Sequence, residues 1–173
     1  MIARAALWLL PLALLLPATA HAQPSEATVK AAFLVKFGAY VQWPQAEGPI
    51  RICAVGRDVF GDSLDQAGAG QQIDGRNVEV RRIDAIGPDS GCDIAFLAGS
   101  TTQSVAAGLA AVRAAPVLTV TDSRWSSARG MVHFEIAQSR VRFHIDDRAA
   151  AGSGLGISSR LLAIALSVRA RGR

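Results

Sequence analysis

Two imidazoles and a carboxylate fall at alternating positions in two adjacent β-rich runs, His133 and Glu135 in MVHFEI and His144 in RVRFHI. Such a set could bind a divalent metal or pass protons, because neutral imidazole and carboxylate serve both as zinc ligands and as general acid–base groups. Arg140 and Arg142 alternate into the same set. They would compete for Glu135 and repel a cation, so the pattern reads as a half-solvated sheet face suited to protein contact. No residue is assigned to catalysis, to a metal or to a cofactor.

Other chemistries have less support. Ser100, Ser104, Ser126, Ser127, Ser158 and Ser159 are available, but there is no G-x-S-x-G elbow and no serine has a recognisable histidine partner. The segment GRDVFG after the first strand has neither a dinucleotide fingerprint nor a Walker lysine, and Asp58 reads there as a helix cap. In the run GSGLGISS, the hydroxyls of Ser153, Ser158 and Ser159 beside Arg160 could hold a small anion at a helix N-terminus, or simply cap the helix. Trp125, in the loop Ser123–Arg129, is either an anchor for a protein partner or a lid on the core. Cys53 and Cys92 do not form a C-x-x-C motif, so a redox enzyme is unsupported. A bridge between them would close a loop of about 40 residues and contribute about 4 kcal/mol. Two buried thiols are the alternative.

The elements that must position these groups follow from hydrophobic spacing. Val29, Phe33, Phe37 and Tyr40 form a helical stripe within Ser25–Trp43, which Ser25 can cap and Pro44 ends. IRICAV, NVEVRRI, CDIAFLA and VLTV read as strands, with short helices expected over Asp58–Gln66 and Thr101–Ala114. CDIAFLA is apolar almost throughout, as a central parallel strand requires. Strand–helix repeats of this kind build an open, mainly parallel sheet with helices on its faces, a three-layer α/β/α sandwich.

After Asp122 the pattern changes. Met131–Ile136 and Arg140–Ile145 form a hairpin, followed by a loop at Gly152-Ser153-Gly154 and a final helix over Ser158–Arg169. Val132, Phe134 and Ile136 must share a face with Val141, Phe143 and Ile145, so paired positions sum to an odd number. The turn is therefore even, either Ala137-Gln138 or Ala137–Arg140. In both registers the other face carries His133, Glu135, Arg140, Arg142 and His144.

Composition narrows the class. The chain has 173 residues, half of them hydrophobic and 18% charged, which excludes disorder and fits one α/β domain over residues 23–173. Met1–Ala22 begins with Arg4, continues as AALWLLPLALLLP and ends in Ala20-His21-Ala22, the pattern of a cleaved secretory signal peptide. Its cleavage would export the mature chain and remove one of the four net positive charges. The remaining basic residues are spread out and not interleaved with aromatics, so a nucleic-acid partner is not expected.

Taken in order, KAAFLVKFGAYVQWP, RICAVGRDVFGDSL, IDGRNVEVRRI, GCDIAFLAGS, VLTVTDS, GMVHFEIAQSRVRFHID and AGSGLGISSRLLAIALSV resemble the YfiR family, the domain designated DUF4154. The sequence departs from that pattern at Arg129-Gly130, where a doubled Gly is usual, and at Phe143-His144-Ile145-Asp146, where Phe-Glu-Ile-Asn is usual. The resemblance implies a non-catalytic periplasmic regulator that binds the sensor domain of an inner-membrane diguanylate cyclase and represses cyclic-di-GMP synthesis, and with it biofilm formation. It implies an outer-membrane lipoprotein as a second partner, a homodimer, and a disulfide at Cys53 and Cys92. The partner surface is expected to include Trp125, His133, Glu135, Arg142 and His144. The rival reading is a small-ligand sensor that uses Gly152–Arg160.

Overall fold

The computed structural model describes residues 24–44 and 47–172; the expected leader lies outside them. In chain order the elements are α1 (Glu26–Gly38), β1 (Val41–Gln42), β2 (Ile50–Gly56), α2 (Asp62–Gly68), β3 (Gln72–Ile73), β4 (Arg76–Ile83), β5 (Ile94–Gly99), α3 (Val105–Ala111) and β6 (Leu118–Asp122). Then come β7 (Val132–Ala137), β8 (Arg140–Asp146), α4 (Asp147–Gly152), β9 (Gly156–Ile157), α5 (Ser159–Ile164) and β10 (Ser167–Arg169). An eight-stranded sheet runs β10-β8-β7-β6-β5-β2-β4-β3, and β1 pairs separately with β9. Strands β4, β2, β5, β6 and β7 are parallel neighbours, giving the order of a doubly wound sheet whose direction of winding reverses between β2 and β5.

Alternation along the strands sorts two hydrophobic clusters. Ile50, Ile52, Ile94, Phe96, Leu118, Val120, Phe134 and Phe143 pack with α1 and α2 residues on the first face. Cys53, Val55, Ala95 and Leu97 project to the second face, where Val105 and Val112 from the α3 region cover them. This second layer is incomplete. Beyond β5 the covering comes from the Ser123–Met131 connection, which has no helix of its own.

That connection is pinned by strand side chains. Thr121 Oγ1 accepts the Gly130 N–H at 2.8 Å, and Thr119 Oγ1 accepts the Met131 N–H at 3.1 Å. A Cβ on Gly130 would stand 2.7 Å from the Thr119 carbonyl oxygen, so only glycine allows this approach.

The hairpin obeys the parity expected of it, with Val132↔Ile145 and Ile136↔Val141. This is the register of the longer-turn alternative, but pairing extends to Ala137↔Arg140 and leaves Gln138-Ser139 as the turn. Both have positive φ, 51° and 57°, as a two-residue turn matched to strand twist demands.

Several local expectations are corrected. The first helix ends at Gly38, and Tyr40 is exposed, because the chain turns there to place Val41 opposite Ile157. The second helix starts at Asp62, and Asp58 instead accepts the Phe60 and Gly61 N–H groups in the turn before it. The Thr101–Ala114 helix shortens to Val105–Ala111, capped by Ser104. Before the Gly152-Ser153-Gly154 turn lies the short helix α4. The final helix stops at Ile164, and Ser167–Arg169 becomes a strand parallel to β8. Arg169 and Arg171 then bond to Asp146 and Asp147 rather than completing a helix dipole.

Candidate protein interface

On the second sheet face one row of polar side chains crosses four strands. The register sets Thr121 beside His133, His133 beside His144, and His144 beside Ser167. His133 Nδ1 lies 2.8 Å from Thr121 Oγ1, and the two imidazole centroids are 6.5 Å apart. His144 is held at both ring nitrogens, by Glu135 Oε2 at 2.8 Å and by Ser167 Oγ at 2.6 Å. Glu135 faces Arg142 across the ladder, but its carboxylate is engaged by His144.

The environment differs along the row. His133 is 3% exposed, not a solvated residue as its alternation suggested, whereas Glu135, Arg142 and His144 are half-buried. Burial, followed by the positive charge of Arg129 and by His144, holds the His133 imidazole below its usual range. The hydrogen bond from His144 holds the Glu135 carboxyl below the usual carboxylate range. Since the His133 value is lower in the folded than in the unfolded chain, the unfolded chain takes up the proton first as pH falls below about 6.5. Stability should therefore decline from there toward the folded value, while above it this group contributes no slope. Urea midpoints measured between about pH 7.5 and 5.5 should fall less steeply in His133→Gln; an equal fall in both proteins would place the titration elsewhere.

Glu135, His144 and Ser167 form a carboxylate–imidazole–hydroxyl line, although serine was expected to lack a histidine partner. Ser167 lies in an exposed edge strand rather than on a sharp strand-to-helix turn, so its hydroxyl is not raised beside helix N-terminal amides that could stabilise an oxyanion. The line links β7, β8 and β10 through their side chains. No group of three or more metal-ligating side chains occurs among the described residues.

Trp125 is placed elsewhere. It is half-buried against the first-face core, with the Arg57 guanidinium 4.9 Å from its ring centroid, and so does not join the histidine face. The expected small-anion segment is also dispersed. Ser153 is buried, and its hydroxyl donates to the Arg113 carbonyl at 2.9 Å. Ser158 caps α5 through the Arg160 N–H, while Ser159 and Arg160 are exposed.

The sequence reading missed a charged cluster at the carboxyl ends of the parallel strands. Lys30 on α1 is 3% exposed and bonds both Glu26 and Asp122, the latter 2% exposed at the end of β6. Arg124 covers the other Glu26 oxygen at 2.8 Å. The signal was present, since Lys30 has the same four-and-three spacing to Leu34 and Phe37 that marks the buried helix face.

Cys53 and Cys92 are joined in a disulfide with Cα atoms 5.9 Å apart, within the second-face cluster. Among the described residues no helix is long and apolar enough to cross a membrane. No curated protein matches the chain. The family model described as YfiR/HmsC-like, DUF4154, matches residues 27–166, which include β1 to β9, the disulfide and both histidines of the row but stop short of β10. The chain therefore belongs to the YfiR/HmsC-like family, and with that family goes a general role in periplasmic regulation of cyclic-di-GMP signalling.

Proposed function

We propose that this protein is a non-catalytic regulator that binds the periplasmic sensor domain of an inner-membrane diguanylate cyclase and holds the enzyme inactive. The observation that carries the reading is the incomplete second layer. The second face over β7 and β8 lacks a covering helix and presents Glu135 and His144, held by their mutual bond, beside Arg142. Family membership supplies the class of partner. On this reading Met1–Ala22 exports the chain, an outer-membrane lipoprotein relieves repression by sequestering it, and a second copy of the chain completes the working unit.

Control through binding requires unequal affinity for the two states of the cyclase. About 5.5 kcal/mol of difference carries an equilibrium from 1:99 to 99:1, which a protein interface can supply without chemistry. Trp125 is no longer part of the proposed contact, because it packs on the other side of the sheet.

Calorimetric titration of oxidised residues 23–173 into the periplasmic domain of the diguanylate cyclase encoded nearest to it tests the reading. Tight association is expected. Glu135→Arg and Arg142→Glu should weaken it by about tenfold or more, mainly through slower association, while circular dichroism stays unchanged. Unaltered affinity in both variants would remove this face from the interface, and no heat of binding would remove the cyclase as partner.

A further inference from the structure

A cavity of about 570 Å³ opens between α3, α4 and the start of β7, apart from the histidine row but adjoining it through Arg129. Its volume falls within the range of small-molecule sites, about 300–1,000 Å³. Its lining residues combine Leu109, Val112 and Met131 with three arginines, Arg113, Arg129 and Arg169, and one acid, Asp146. Arg169 is neutralised by Asp146 at 3.2 Å. Among the described residues neither Arg113 nor Arg129 is in an ion pair.

The cavity therefore has an apolar lining and two uncompensated positive charges. It is also built with some rigidity. Ser153 bonds the Arg113 carbonyl and fixes the end of the α3 turn to α4, and Gly130, locked against Thr119, sets the position of the Arg129 backbone. We propose that this cavity binds a small organic acid, its anionic head met by Arg113 and Arg129 and its apolar body lying over Leu109 and the edge of Met131. Planar guanidinium groups suit a carboxylate head, which they can engage through paired hydrogen bonds.

Such a ligand would reach the candidate interface through Arg129. That charge holds the neighbouring His133 imidazole down, so an anion beside Arg129 would raise it toward its usual range. The proposal does not depend on the identity of the protein partner, and failure of either leaves the other standing.

The test uses the mature protein with benzoate and octanoate as probes, benzyl alcohol as a neutral control and inorganic phosphate as a head group without a body. Amide chemical shifts are followed to about 10 mM probe, some ten times the half-saturating concentration of a millimolar site. Saturable shifts centred on Gly130, Met131 and Val112 are expected with the two organic acids. They should weaken by about tenfold in each of Arg113→Gln and Arg129→Gln, and less in the corresponding lysine variants. In parallel, the His133 titration should move upward in saturating benzoate. Absence of saturation with both acids would overturn the proposal, as would equal binding of benzyl alcohol or phosphate, or indifference to both glutamine substitutions.

Discussion

Lys30→Met should destabilise the protein by about 3–5 kcal/mol, among the largest losses expected from any single substitution. The size follows from what remains behind. Asp122 is 2% exposed at the end of β6, and Lys30 is the cation paired with its carboxylate. Without Lys30 the carboxylate stays buried without its counter-charge, its remaining bond being the one Oδ1 accepts from the Arg124 N–H at 2.9 Å. Glu26 suffers less, because it is partly exposed and keeps Arg124.

The double variant Lys30→Met with Asp122→Asn removes both charges while keeping an acceptor for the Arg124 amide. It should recover most of the loss, since a buried ion pair often gives little advantage over a neutral replacement of similar size. Urea denaturation of the four proteins in this cycle measures the coupling directly. A single-variant loss below about 1 kcal/mol would mean that α1 lifts from the sheet and lets water reach Asp122.

Replacing both cysteines, as Cys53→Ala with Cys92→Ala, should cost about 4 kcal/mol by the chain-entropy argument for a loop of this length. At about 2–4 °C per kcal/mol for a domain of this size, the melting temperature should fall by about 8–16 °C. Cys53 lies in β2, paired with both β4 and β5, and Cys92 precedes the entry to β5, so the bond joins neighbouring parallel strands whose connection runs through α2 and β4. The two residues are 0% and 7% exposed. Reductant should therefore act at the rate of local opening rather than on contact. Scanning calorimetry checks the first expectation; an unchanged melting temperature would show that the unfolded chain gains no freedom when the bridge is absent.

The parallel half of the fold was legible because its strands are short apolar runs separated by glycine and proline, and the hairpin because alternation fixes parity. The C-terminal segment was not. Leu161, Ala165 and Val168 repeat at helical spacing, yet Val168 is 38% exposed on a strand whose pairing with β8 no local pattern announces. Of the candidate site, alternation alone grouped His133, Glu135, Arg142 and His144. It could not reveal that Thr121 and Ser167 extend the row, because those neighbours are set by pairing across the sheet. Trp125 in a loop reads as an anchor for a protein partner, but the Ser123–Met131 connection starts over the first face, where Trp125 packs on the core, and only its later residues reach the second. Lys30 was passed over because a charged residue in an amphipathic helix normally marks the solvent side.

The helix-free connection between β6 and β7 has a calorimetric consequence. Whatever settles against β7 and β8 there meets the His144 imidazole, the Ser167 hydroxyl, the Glu135 carboxylate and the Arg142 guanidinium rather than the aliphatic surface that usually lies beneath a crossover helix. Burying apolar area lowers the heat capacity of a complex, and burying polar area raises it. Association on this face should thus show a heat-capacity change near zero or positive, with an affinity that falls as salt shortens the Debye length below about 8 Å. A strongly negative value would mean that the contact lies instead on the exposed aliphatic edge of Ile164, Leu166 and Val168.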